Sequence, residues 1–130
     1  MASIQSVAKP DFVAHDRAYR LSIVEVVSEL REVLGSKLVA YIAGVSETRA
    51  VREWADGDRE PRHPVPERLR LTLYVVETLR TRDTTDVARA WIQGLNPRLG
   101  DRSPARLLRD GDVEGVGPKV LAAARAFVAA

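Results

Sequence analysis

ARAWIQGLNPRLGDRSPARLLRDGD, Ala88–Asp112, is the most heavily punctuated stretch of this 130-residue chain, and its punctuation is helical. Thr84 or Thr85 can cap a helix of roughly 86–93 that carries Trp91, and Gly94 stops it. Asn96-Pro97 marks a turn, and Gly100 permits a backbone angle that most residues avoid. Ser103-Pro104 is a helix start in which the hydroxyl accepts an orphan N–H and proline fills the first helical position. That helix is short and ends near Asp110-Gly111.

Outward from this stretch the same signals recur. Toward the C-terminus, Pro118 is expected to start a last helix with Val120, Leu121, Ala124, Phe127 and Val128 on its apolar side. Toward the N-terminus, Pro66 suits the first turn of a helix to about Arg82, with Leu69, Leu73 and Val76 inward. Before it lies a loop, Asp56–Pro66, rich in proline, charge and glycine. Ser36 opens a short helix to Ala43, Gly44 closes it, and Ser46 is placed to cap another to about Ala55. Ser22 and Glu25 form a capping-box pattern ahead of a stripe of Ile23, Val27, Leu30 and Leu34 that Gly35 ends. The first fifteen or so residues show no clear period. With no convincing alternating strand anywhere, the fold class is all-α: a flexible arm (1–20), a helix-turn-helix-like region (21–82) and a compact helical subdomain (83–130).

Composition narrows the function. Cysteine is absent, which excludes a disulfide framework, a thiolate nucleophile and cysteine-held metal. The two histidines, His15 and His63, are far apart in apparent loops with no nucleophile or ligand partner at useful spacing. No catalytic residue, cofactor or metal ligand is assigned. No signal peptide or membrane span is legible, so the cytoplasm is the expected location. A net charge of +2 is too small to announce a nucleic-acid binder, but it is unevenly distributed. Residues 79–109 carry seven arginines against three acids, whereas 36–58 carry three basic groups against four acids.

That acidic segment contains LVAYIAGVSETRAVREWADG, Leu38–Gly57, which looks like a helix-turn-helix. Ala40 lets a second helix cross closely and Gly44 supplies a turn, while Val39, Ala43, Val45, Val51 and Trp54 would hold the pair together. Ser46, Thr48, Arg49 and Arg52 then project outward as candidate DNA contacts. The spacing from Gly44 to Val51 is one residue longer than the usual motif. Glu47, Glu53, Asp56 and Asp58 oppose phosphate, which favours protein binding ahead of DNA binding.

The motif Trp91, Asn96, Leu99-Gly100, Ser103-Pro104, Leu107-Leu108 and Gly111 resembles the toxin-binding domain of the Xre/MbcA/ParS antitoxin family, closely over about 84–130. Asp101 departs from the pattern, standing where that family more often has a second glycine. The resemblance implies an antitoxin that occludes a RES-domain toxin, an enzyme that consumes NAD, and assembles as a homo-oligomer or with the toxin. Repression of its own operon by binding operator DNA is implied as a second role. Leu121, Arg125, Phe127 and Val128 are the candidate toxin contacts. The alternative is a stand-alone helix-turn-helix regulator. A weaker signal, EGVGPKV at Glu114–Val120, is similar to the hairpin of helix-hairpin-helix modules, in which the turn at 115–118 would contact phosphate.

Overall fold

The computed structural model describes residues 9–130, which form eight α-helices and one 3₁₀ turn, with no strand among them. The helices are α1 (Pro10–Arg20), α2 (Ile23–Leu34), α3 (Ser36–Ala43), α4 (Thr48–Asp56), α5 (Val65–Arg80), α6 (Thr85–Gln93), α7 (Pro104–Asp110) and α8 (Val113–Ala129). The all-α fold class is thus observed. No helix is long and apolar enough to cross a membrane among the described residues.

α5 is the axis of the bundle. Leu69, Leu71, Leu73, Val75, Val76 and Leu79 are all buried, and such all-round apolarity belongs to a helix enclosed on every side. Its two buried hydroxyls, Thr72 and Thr78, donate to the carbonyls of Arg68 and Tyr74 one turn back, so neither is left unpaired. α1 and α8 pack most extensively on α5, α2 also packs on it, and α4 packs on α2 and α3. A single buried cluster joins residues of both halves, from Ala14 to Ala124.

Local signals explain most boundaries. Ser22 and Glu25 form the capping box expected of α2, and Gly35 ends that helix at φ +86°. Thr84 caps α6 and Ser103 caps α7, each hydroxyl accepting the N–H three residues on.

Three expectations are corrected. Residues 10–20 are a helix where a flexible arm is expected; residues 1–8 of that arm lie outside the described residues. Pro10 opens α1, and only Ala14 and Ala18 face inward, small side chains one turn apart that give no apolar stripe to read. His15 therefore stands on a helix, with its ring stacked 4.7 Å from Tyr19 and edge-on to Tyr74. The cap of α4 is Glu47 rather than Ser46, which accommodates the extra residue in the turn. Finally, α8 begins at Val113, five residues before Pro118. Asp112 caps it by accepting the Gly115 N–H at 2.7 Å. The helix tolerates Pro118 because Gly117 lacks the Cβ that would clash with the proline ring. The 115–118 segment is therefore helical backbone and cannot offer a phosphate hairpin.

Arginines tie the helices end to end. Arg68 of α5 donates to the Ile42 and Ala43 carbonyls at the end of α3, and Arg70 to Ala18 and Leu21 at the end of α1. Arg89 of α6 donates to Val33 at the end of α2, and Arg82 to Val128 and Ala130 at the end of α8. A cation beside these last-turn carbonyls meets both their missing hydrogen bonds and the negative end of the helix dipole.

Candidate functional site

Two surfaces stand out, one on each half. The first surrounds the turn between α3 and α4. Gly44 adopts φ +83° there, and Arg68 beneath it fixes the end of α3. Val39, Ala43, Val51 and Trp54 are buried between the helices, while Val45 is half-buried. Ser46, Thr48, Arg49 and Arg52 are all exposed, the arrangement a recognition helix needs. The acids are less obstructive than their number suggests. Glu53 is held by Arg49 at 3.4 Å and Arg59 at 3.1 Å, and Asp56 and Asp58 lie at the far end of α4.

The second surface is a groove of about 460 Å³ between α6 and α8, walled by Trp91, Leu95, Pro97, Ala126 and Phe127. Leu95 is 76% exposed and Phe127 41%, the two most open large apolar side chains of this half. Trp91, expected to anchor the subdomain core, is half-buried and packs against Phe127 at 6.2 Å between ring centroids. Ile92 beside it is the fully buried residue.

Of the motif read from the sequence, Trp91 and Asn96 line that groove. Asn96 accepts the Arg98 N–H through its side chain and bridges by backbone to Arg102, closing a tight loop. Leu99, Pro104 and Leu107 of the same motif are buried. Gly100 has φ +68° and Asp101 φ +60°, so consecutive residues are left-handed, a conformation glycine adopts most easily. Gly111 answers a different demand: its φ is −93°, but a Cβ there would meet Val116 Cγ1 at 2.1 Å.

No family model and no curated protein matches the chain. Among solved structures it is similar to a chain in the crystal structure of the M. tuberculosis MbcT–MbcA toxin–antitoxin complex, of which MbcA is the antitoxin. The identity is 30%, the TM-score 0.64, and the match covers 82% of this chain and 96% of that one. The chain belongs to the Xre/MbcA/ParS antitoxin family.

The candidate toxin contacts do not form one surface here. Phe127 opens into the groove, but Leu121 is 9% exposed and packs in the core. Arg125 faces the other way, where its Nε donates to Asp11 of α1 at 3.0 Å and its Nη2 to the Tyr74 hydroxyl at 2.8 Å. Val128 packs against the core, and its carbonyl accepts from Arg82. Helical periodicity explains the split, since 121, 125 and 128 share one face and 127 lies off it. Partial burial pushes the Asp11 carboxyl up. Hydrogen bonds from Arg125 and Tyr74, with the Arg125 charge, outweigh it and hold the group below the usual carboxylate range. Sequence reasoning missed Leu95 as a site residue; the signal was an apolar side chain placed after the helix-stopping Gly94.

Proposed function

We propose that this chain is an antitoxin that binds a toxin enzyme and blocks it by occupying its surface, with residues 83–130 as the toxin-binding region. The observation that carries the reading is the open apolar groove of Trp91, Leu95 and Phe127 on a chain of an antitoxin family. Occlusion needs a complementary surface with an apolar centre and no reactive groups. Phe127 remains the toxin contact of the original four; Leu121, Arg125 and Val128 support the face behind it. The family resemblance supports a RES-type toxin that consumes NAD.

Co-expression with the product of the adjacent gene tests this. The expected result is a stable complex, growth arrest when the neighbour is made alone, and NAD depletion in those cells. A neighbour that is harmless alone and does not copurify would overturn the reading. Arrest without NAD loss would overturn only the RES assignment.

A second role, repression of its own operon, is favoured by the exposed quartet Ser46, Thr48, Arg49 and Arg52 on residues 21–82. It predicts sequence-selective binding to the DNA upstream of the gene, lost in Arg49→Ala and Arg52→Ala. Binding indifferent to both changes would refute it.

A further inference from the structure

Resting on the operator-binding reading, we infer that Arg109 and Lys37 are phosphate contacts that extend the DNA surface onto the C-terminal half. A groove of about 710 Å³ runs along the turn, and its walls include Lys37 and Tyr41 of α3, Ser46, Thr48 and Arg49 around the start of α4, and Arg109 of α7. α7 reaches this place because it packs directly on α3. Along the sequence, segment 36–58 is acidic by one charge, whereas the groove is walled by Lys37, Arg109 and Arg49, the last paired with Glu53 at 3.4 Å, and by one carboxylate, Glu47. Folding thus offsets the acidic charge of the helix-turn-helix segment by bringing Arg109 of the other half beside it.

Arg109 is held ready for an anion. Its guanidinium carbon lies 4.6 Å from the centroid of the Tyr41 ring, and its Nη1 donates to the Tyr41 carbonyl at 2.8 Å. A guanidinium has five N–H donors in a rigid fork, so most remain for a phosphate after that bond. Asp110 is only a loose neighbour, 3.8 Å from Nε. Lys37 is exposed and makes no hydrogen bond or ion pair among the described residues. The hydroxyls of Ser46 and Thr48 beside them are further phosphate donors of the kind that fix a protein's register on a duplex. Charge complementarity therefore commits the groove to the sugar–phosphate backbone, with base contacts left to the exposed face of α4.

The test measures affinity against salt for two duplexes of equal length, one from the DNA immediately upstream of the gene and one of random sequence. Arg109→Ala and Lys37→Ala are each expected to weaken binding several-fold on both duplexes. Each should reduce the slope of log affinity against log salt by about 1, the effect of losing one phosphate contact. Arg109→Lys should keep the slope, and Arg20→Ala, an exposed arginine at the end of α1, should match the wild type. Thermal melts of each variant separate lost contacts from lost fold, and Lys37→Ala, with no internal partner to lose, carries the result if Arg109→Ala is unstable. If Arg52→Ala abolishes binding while both groove variants keep the wild-type slope, this inference fails and the DNA reading stands. If the wild type binds neither duplex, both fail. Groove variants that weaken copurification with the toxin while leaving DNA affinity intact would also overturn it, assigning the patch to an acidic protein.

Discussion

Replacing Gly111 with alanine should destabilise the protein through space alone. The backbone at Gly111, φ −93° and ψ 165°, suits any L-residue, so no conformational strain is added. The new methyl would sit 2.1 Å from Val116 Cγ1 and 3.0 Å from the Leu107 carbonyl. The carbonyl belongs to the backbone of α7 and cannot retreat, and a valine on a helix has essentially one χ1 rotamer. Overpacking of this kind costs about 1–3 kcal/mol. The stiffer unfolded chain offsets about 0.4–1 kcal/mol of it. A net loss of about 1–2 kcal/mol follows, equivalent to roughly 5 °C in Tm for a chain of this size. Urea denaturation should show a lower midpoint at unchanged m-value. Val116→Ala in the same background removes the colliding methyls, and the double mutant should recover at least about 1 kcal/mol relative to additivity. A Gly111→Ala variant within about 0.5 kcal/mol of the wild type, or strictly additive mutants, would refute the steric account.

Ser103→Ala removes the hydroxyl that accepts the Arg106 N–H and should cost about 1 kcal/mol, read by the same denaturation. Asp11→Asn should lower stability slightly at neutral pH. Because the folded Asp11 carboxyl titrates below its unfolded value, its contribution is complete above about pH 4 and is lost as pH falls through the folded value. The gap between variant and wild type should therefore close in acid melts; a gap that widens there would refute the Arg125–Asp11 link. Leu95→Asp, at a largely exposed site, should leave Tm nearly unchanged yet weaken the toxin complex at least tenfold by calorimetry. Unchanged affinity would remove the groove from the interface.

The helices legible in the sequence are those with caps and stripes. Ser22 with Glu25, Thr84, and Ser103 with Pro104 each locate a start, because a hydroxyl facing an orphan N–H is a local interaction. α1 was illegible because it buries only two alanines, and its large residues Phe12 and Val13 point outward. The start of α8 is hidden in the sequence because proline is the louder signal; the quieter one, Asp112 three residues before Gly115, is the cap. At the site, the exposure of Thr48, Arg49 and Arg52 follows from helical period, while Ser46 is exposed in the turn before α4. The groove beside Leu95 and the arrival of Arg109 beside Tyr41 do not follow from it, since each depends on two helices distant in sequence. Asp101 shows a motif departure with a physical reading: its left-handed backbone is the reason glycine is common there, and aspartate is among the few residues that tolerate it.

The arginines that reach from one helix to the last carbonyls of another also bear on how the molecule breathes. An isolated helix frays from its ends, and its terminal amides exchange with solvent long before the chain unfolds. In this bundle, opening the last turn of α1, α2, α3 or α8 also breaks a guanidinium bond anchored on a different helix or, for α8, on the turn that follows α5. Fraying at one end is thereby linked to loosening of a neighbour, so amide exchange in those last turns should follow larger concerted openings of the bundle.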